Sequence, residues 1–150
     1  MLCLVDVNVW LALLLKEHGH HAETGAWFDS LQPGEAGLCR IVQLALIRLL
    51  GNRTIMGTGA LSASAAWQEI AGLLEDERVE LIPEPKGIDA ILPTLLRYPV
   101  PAINLISDAY LAAFAICADR ILVSQDRGFE QFKGLRLRFL QTKTAPYRER

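Results

Sequence analysis

The chain has 150 residues, 51% of them apolar, and a formal net charge of -2, which is enough for one domain with a substantial core. This near-neutral, slightly acidic balance excludes a protein whose whole surface is a nucleic-acid glove. A local basic face remains open, because residues 99–150 carry 8 basic and 5 acidic residues whereas residues 1–98 carry 7 and 12.

Leu2 to Val5 is a continuous apolar tetrad without alternation, the pattern of a strand covered on both faces. Asn8 to Leu15 reads as a buried helix, and Ala22 to Leu31 as a second one stopped by Gln32-Pro33-Gly34. Residues 39 to 50 carry Ile41, Leu44, Ala45 and Leu49 on helical spacing, with Gln43 and Arg48 as polar interruptions. The Gly-rich stretch 51–59 reads as a loop before a helix from Ser62 to Leu74. Val79 to Ile82 is expected as a short strand. Ile88 to Leu96 has helical spacing that Pro93 should start, kink or break. The loop Tyr98 to Ile106 leads to an Ala-rich helix opening at Ser107-Asp108, then a buried strand at Ile121 to Ser124 and an edge strand over Leu135 to Leu140. Strands interleaved with helices predict an α/β fold, three layers α/β/α with a mostly parallel central sheet, over residues 1–140. Residues 141–150 read as a loose polar tail.

Cys3, Cys39 and Cys117 are odd in number, widely spaced and set among apolar neighbours, as reduced core cysteines are. No cationic region precedes an apolar run, and Asp6 and Asn8 interrupt Leu2 to Leu15, so a cytoplasmic location is expected, without membrane insertion. His18, His20 and His21 lie in a Gly-containing turn without a fourth ligand, which argues for a solvated loop rather than a zinc site.

Three aspartates stand where apolar strands give way to helices or turns: Asp6 after the first strand, Asp126 after Ile121 to Gln125, and Asp108 at the expected helix start. The carboxyl ends of parallel strands are where such sheets gather ligands. Three carboxylates brought together repel one another, and a hard divalent cation with oxygen ligands relieves that repulsion. Each also has a plainer explanation, since Asp108 and Asp6 could cap helices and Asp126 could sit in a turn.

Leu4-Val5-Asp6-Val7-Asn8, then Cys39-Arg40-Ile41-Val42-Gln43-Leu44 with Arg48, then Ser107-Asp108-Ala109-Tyr110, then Leu122-Val123-Ser124-Gln125-Asp126-Arg127-Gly128-Phe129 resemble in order the signature blocks of PIN-domain nucleases, above all the VapC toxins of toxin–antitoxin pairs. The resemblance runs from residue 2 to about residue 140. It implies an acidic pocket in which Asp6, Asp108 and Asp126 hold Mg2+ (or Mn2+), so that a metal-activated water hydrolyses RNA. The family's second acidic position, usually Glu, falls on Gln43, which keeps an oxygen but deletes a charge and is expected to favour one tightly held ion. Asn8, Ser124 and Arg48 are expected around this set, orienting carboxylates or touching phosphate. The resemblance further implies a homodimer and a small VapB-type antitoxin that inserts a peptide into the acidic groove. The alternative is a PIN-like RNA- or protein-binding module whose catalysis is weakened or lost through Gln43. Arg120, Arg127 and Arg136 to Arg138 are candidates for steering RNA.

Overall fold

In a computed structural model, residues 1–97 and 103–140 are described. The tail 141–150 and most of the loop before Ile106 lie outside them. The sheet has five strands, all parallel, in the order β3-β2-β1-β4-β5: β1 Cys3–Val5, β2 Ala36–Cys39, β3 Val79–Ile82, β4 Ile121–Ser124 and β5 Leu137–Phe139. The apolar tetrads behave as parallel strands should: every residue of β1 is buried, and Leu122 and Val123 of β4 are fully so. Helices α1 (Val7–Leu14), α2 (His21–Asp29), α3 (Arg40–Leu50), α4 (Arg53–Met56), α5 (Ala63–Leu73), α6 (Ile88–Leu95) and α7 (Ile103–Cys117) cover the sheet in a three-layer α/β/α arrangement. Helix α1 packs on α2 and α3, α3 on α5, and α6 on α7. Trp10, fully buried in α1, meets Phe28 of α2 edge to face at 6.2 Å between ring centres.

The strand order fixes where a site can form. From β1 the chain steps outward through β2 to β3, then returns to the other side of β1 for β4 and β5. The reversal leaves a crevice beyond the carboxyl ends of β1 and β4, the position at which open α/β sheets take up ligands. Asp6 follows β1, and Asp126 lies two residues beyond β4.

The structure departs from the local expectations at several places. Ala36–Cys39 is a central strand, in a stretch for which the sequence predicts no element. A Cβ on Gly37 would lie 2.5 Å from the Cys3 carbonyl oxygen and 2.8 Å from Ile82 Cδ1, so the close approach of neighbouring strands demands glycine there. The stretch 51–59 holds the short helix α4, capped by the Asn52 side chain accepting from Thr54 N, and a 3-10 turn at Gly57–Gly59. Pro93 neither starts nor breaks α6, which runs through it. Helix α7 begins at Ile103, four residues before the expected start at Ser107, so Asp108 is interior to the helix and not a cap.

Cys3, Cys39 and Cys117 are free thiols. No helix among the described residues is long and apolar enough to cross a membrane. His21, expected in a solvated turn, opens α2, and its Nδ1 lies 2.9 Å from the Ala12 carbonyl oxygen.

Candidate acidic site

Asp6 combines two of the roles open to it. Its extended backbone places it at the N-cap of α1, where Oδ1 accepts from Val7 N at 2.7 Å, and its carbonyl receives Val9 N and Trp10 N. The other carboxylate oxygen, Oδ2, accepts from the Ser124 hydroxyl at 2.7 Å, across the switch point from β1 to β4. Only 5% of Asp6 is exposed. Burial pushes its carboxyl up from the usual carboxylate range against the lowering effect of these hydrogen bonds, and the charge of Asp126 adds to the rise.

Ser124, expected to serve a nearby carboxylate, is the hub of the arrangement. Its fully buried Oγ donates to Asp6 and accepts from Asp126 N at 2.9 Å and from Asn8 Nδ2 at 3.3 Å, which uses the full capacity of a hydroxyl. Asn8 closes the circuit by accepting from Gln125 N at 3.3 Å. These bonds lock the end of β1, the start of α1 and the turn after β4 into one unit. We therefore expect Ser124→Ala to cost about 1–3 kcal/mol in urea denaturation, because one buried and two part-buried polar groups lose a partner. RNA cleavage should fall roughly 10- to 100-fold with it, and Ser124→Thr should restore most of both.

Asp126 stands exposed at the mouth and caps a 3-10 turn, Arg127–Gln131, by accepting from Gly128 N at 2.7 Å. Gly128 leaves room for that bond, since a Cβ there would lie 3.0 Å from Asp126 Oδ1 and press on the capping carboxylate. Asp108 reaches the same place from α7. It shares with Asp6 the wall of a cavity of about 130 Å3, whose other walls include Ile41, Val42, Ala45 and Arg48 of α3 and Ser107 of α7. Its carboxyl is pushed up to about 6, first by burial and then by the charges of Asp6 and Asp126. The three aspartates thus feel one another, graded from the buried Asp6 to the exposed Asp126. None of the ion pairs among the described residues involves them.

Gln43 lies beside this cavity rather than in its wall. It is buried in α3 with Val42, Leu46 and Leu50, and its Oε1 accepts from the Arg40 guanidinium. A neutral acceptor holds that guanidinium without cancelling its charge, as a glutamate would. Arg48 is exposed on the cavity rim and makes no ion pair among the described residues.

The expected basic face is only partly on this side. Arg120, just before β4, bonds the Cys3 carbonyl oxygen and Glu80, and Arg136, just before β5, bonds Asp119. Both therefore sit at the amino ends of their strands, across the sheet from the aspartates, and serve structural pairs. Arg127 and Arg138 remain on the carboxyl side and along β5.

The donor set suits a hard cation: carboxylate oxygens, two of which are pushed up in part by the charge of a neighbouring aspartate, with no cation among the described residues ion-paired to any of them. Among the described residues no group of three or more His, Cys, Asp or Glu side chains stands close enough together to hold a metal ion by itself. Mg2+ characteristically keeps several waters and takes one or two carboxylates, so the open, graded cluster fits it better than a closed cage would.

A model of the PIN domain matches residues 3–135. Ribonuclease VapC41 of Mycobacterium tuberculosis is 41% identical over 142 residues, covering 91% of this chain and 97% of that protein. Ribonuclease VapC37 of the same organism is 31% identical over 136 residues, covering 89% and 93%. Among solved structures, VapBC-1 from nontypeable Haemophilus influenzae aligns with a TM-score of 0.67 at 18% identity, over 93% of this chain and 98% of that one. The sarcin-ricin loop cleaving toxin VapC20 of M. tuberculosis aligns at 0.61 and 19%, over 89% and 98%.

Proposed function

The chain belongs to the PIN-domain family, in its VapC branch, and from that premise we propose that it is the toxin of a VapBC-type pair, a Mg2+- or Mn2+-dependent endoribonuclease. The observation that carries this reading is the cavity that Asp6 and Asp108 share near the switch point of the sheet, with Asp126 on the turn after β4 and Asp108 pushed up to about 6 by burial and by the charges of the other two.

In this reading Asp6, Asp108 and Asp126 hold the cation. When bound, it supplies charge neutralisation at the scissile phosphodiester and an activated water. The protein's own part is positional. Val7 N and the Ser124 hydroxyl fix the Asp6 carboxylate, Gly128 N orients Asp126, and α7 carries Asp108 to them. Arg48 on the rim and Arg40, held by Gln43, supply positive charge for RNA phosphates on the α3 side. A VapB-type antitoxin closing the acidic groove and a homodimeric assembly belong to the same reading. Support for the first is that the structural relatives include VapBC complexes; the second rests on the resemblance to the VapC group.

The test is cleavage of single-stranded RNA by the purified protein with Mg2+ or Mn2+. Wild type should cleave and Asp126→Ala should not. Gln43→Glu should remain active, with its metal titration shifting toward a second bound ion. A wild type that is inert while Gln43→Glu cleaves would transfer the protein to the binding-module reading.

A further inference from the structure

Among the described residues four polar side chains are buried: Asp6, Gln43, Ser124 and Thr24. Three of them stand at or beside the acidic site, and the fourth, Thr24, is fully enclosed in α2. A buried hydroxyl recovers its lost hydration only through a partner. Thr24 finds one in the turn that carries Asp126, where its Oγ1 accepts from Gln125 Nε2 at 3.1 Å. We propose that Thr24 and Gln125 are positioning residues for the Asp126 carboxylate, so that α2 helps to set how tightly a divalent cation is held. The inference deepens the ribonuclease reading and rests on it.

The build of the turn makes this bond consequential. Asp126 is exposed, and its Oδ1 accepts from Gly128 N, which fixes the carboxylate to its own turn but not the turn to the protein. Attachment to the body comes from the main-chain amides of Gln125 and Asp126, which donate to Asn8 of α1 at 3.3 Å and to Ser124 of β4 at 2.9 Å. Asn8 and Ser124 also bond each other, so these two ties belong to one circuit. The Gln125 side chain adds a separate tie, from the residue directly before Asp126 to a different helix. A turn held by one circuit rocks about it, and a tie to a second body limits that motion. A displacement of a fraction of an ångström in a ligand is enough to weaken a metal site, and groups that orient ligands shift metal affinity by roughly 10- to 100-fold. Packing alone would be served as well by valine, which fills the same space with no hydroxyl to satisfy.

The experiment uses the full chain without RNA. Amide hydrogen exchange in EDTA reads the turn, and calorimetric titration with Mn2+ reads the cation. In Thr24→Val the amides of Asp126 and Gly128 should exchange about 5-fold or more faster than in wild type, while the Thr54 amide, held by the comparable Asn52 cap of α4, keeps its rate. The Mn2+ Kd should rise about 3- to 10-fold. Thr24→Ser keeps the hydroxyl and loses a buried methyl, so it should lower the urea midpoint yet leave both turn exchange and Kd as in wild type. Gln125→Met should match Thr24→Val, and the double variant should be no worse than either, because both remove the same bond. Turn exchange that Thr24→Val does not alter, or that rises equally at Thr54, overturns the positioning role. A Kd that follows the urea midpoint across the variants, with Thr24→Ser as weak as Thr24→Val, overturns it as well. The expected exchange pattern in a wild type that binds no Mn2+ leaves Thr24 and Gln125 holding the turn and removes the cation reading instead.

Discussion

Asp6→Asn should cost RNA cleavage roughly 100- to 1,000-fold, the scale of removing one charge-stabilising group from a reaction centre, while the protein stays as stable as wild type or becomes more so. The two halves of this expectation come from the same atoms. An Asn side chain keeps an oxygen for Val7 N and is as good an N-cap as Asp, so α1 retains its start. What disappears is a buried negative charge, 5% exposed, that both resists its own desolvation and raises the carboxyl of Asp108. The Asn amide nitrogen would face a Ser124 oxygen that already accepts from Asp126 N and Asn8 Nδ2, so one of those bonds is given up at a cost of about 1–2 kcal/mol, and relief of the buried charge offsets it. NMR titration should show the Asp108 carboxyl falling from about 6 toward the ordinary value, though not reaching it, since burial is the larger cause of its rise. Cleavage that survives Asp6→Asn would remove Asp6 from the site. Loss of cleavage together with a collapse of stability would mean that Asp6 is chiefly structural.

How far the sequence discloses this arrangement depends on what each element is made of. Strands β1 and β4 announce themselves because a strand buried on both faces needs no alternation, and Leu4-Val5 and Leu122-Val123 show none. Strand β2 hides because its middle residue is Gly37, chosen for the closeness of Cys3 and Ile82 rather than for strand propensity. Nothing local in Ala-Gly-Leu-Cys reports on neighbours as distant in sequence as Cys3 and Ile82. The start of α7 is misread for the opposite reason. Ser107-Asp108 has the chemistry of a cap, yet Ile103 to Ile106 is already helical, so tertiary context overrides the local signal. That correction strengthens the site, since an Asp inside a helix is free of capping duty and available to the cavity. The Ser124 hub was visible only as a hydroxyl near a carboxylate, because its three partners come from β1, α1 and the turn after β4. The charge split of the C-terminal third marked Arg120 and Arg136 as readily as Arg127, because sequence does not show at which end of a parallel strand a charge lies.

Stripped of divalent cations, the protein should lose stability as pH rises from about 4 to about 6, and Mg2+ should return that stability at pH 7.5 but little of it at pH 5. Asp108 has its carboxyl near 6 in the folded chain and near 3.8 when unfolded, so between those values the folded state binds more protons and rising pH favours unfolding. The gap sets an upper limit near 3 kcal/mol, and solvent reaching the half-exposed side chain leaves about 1–2 kcal/mol. Asp6, also raised, acts in the same direction. Asp76 acts in the opposite one, held down to about 2 by Arg78, but its contribution is complete by pH 4 and lies below the window. His18, lowered by burial and by His20 and His21, opposes the trend at the upper end. Its contribution cancels when wild type is compared with Asp108→Asn, so the difference between their denaturation free energies across pH isolates the carboxyl. A cation that binds only ionised carboxylates adds stability by mass action, about 2.7 kcal/mol at one hundred times its Kd, and must displace protons where Asp108 holds one. Equal Mg2+ stabilisation at pH 5 and pH 7.5, or equal stabilisation of Asp108→Asn and wild type, would place the ion somewhere other than these three aspartates.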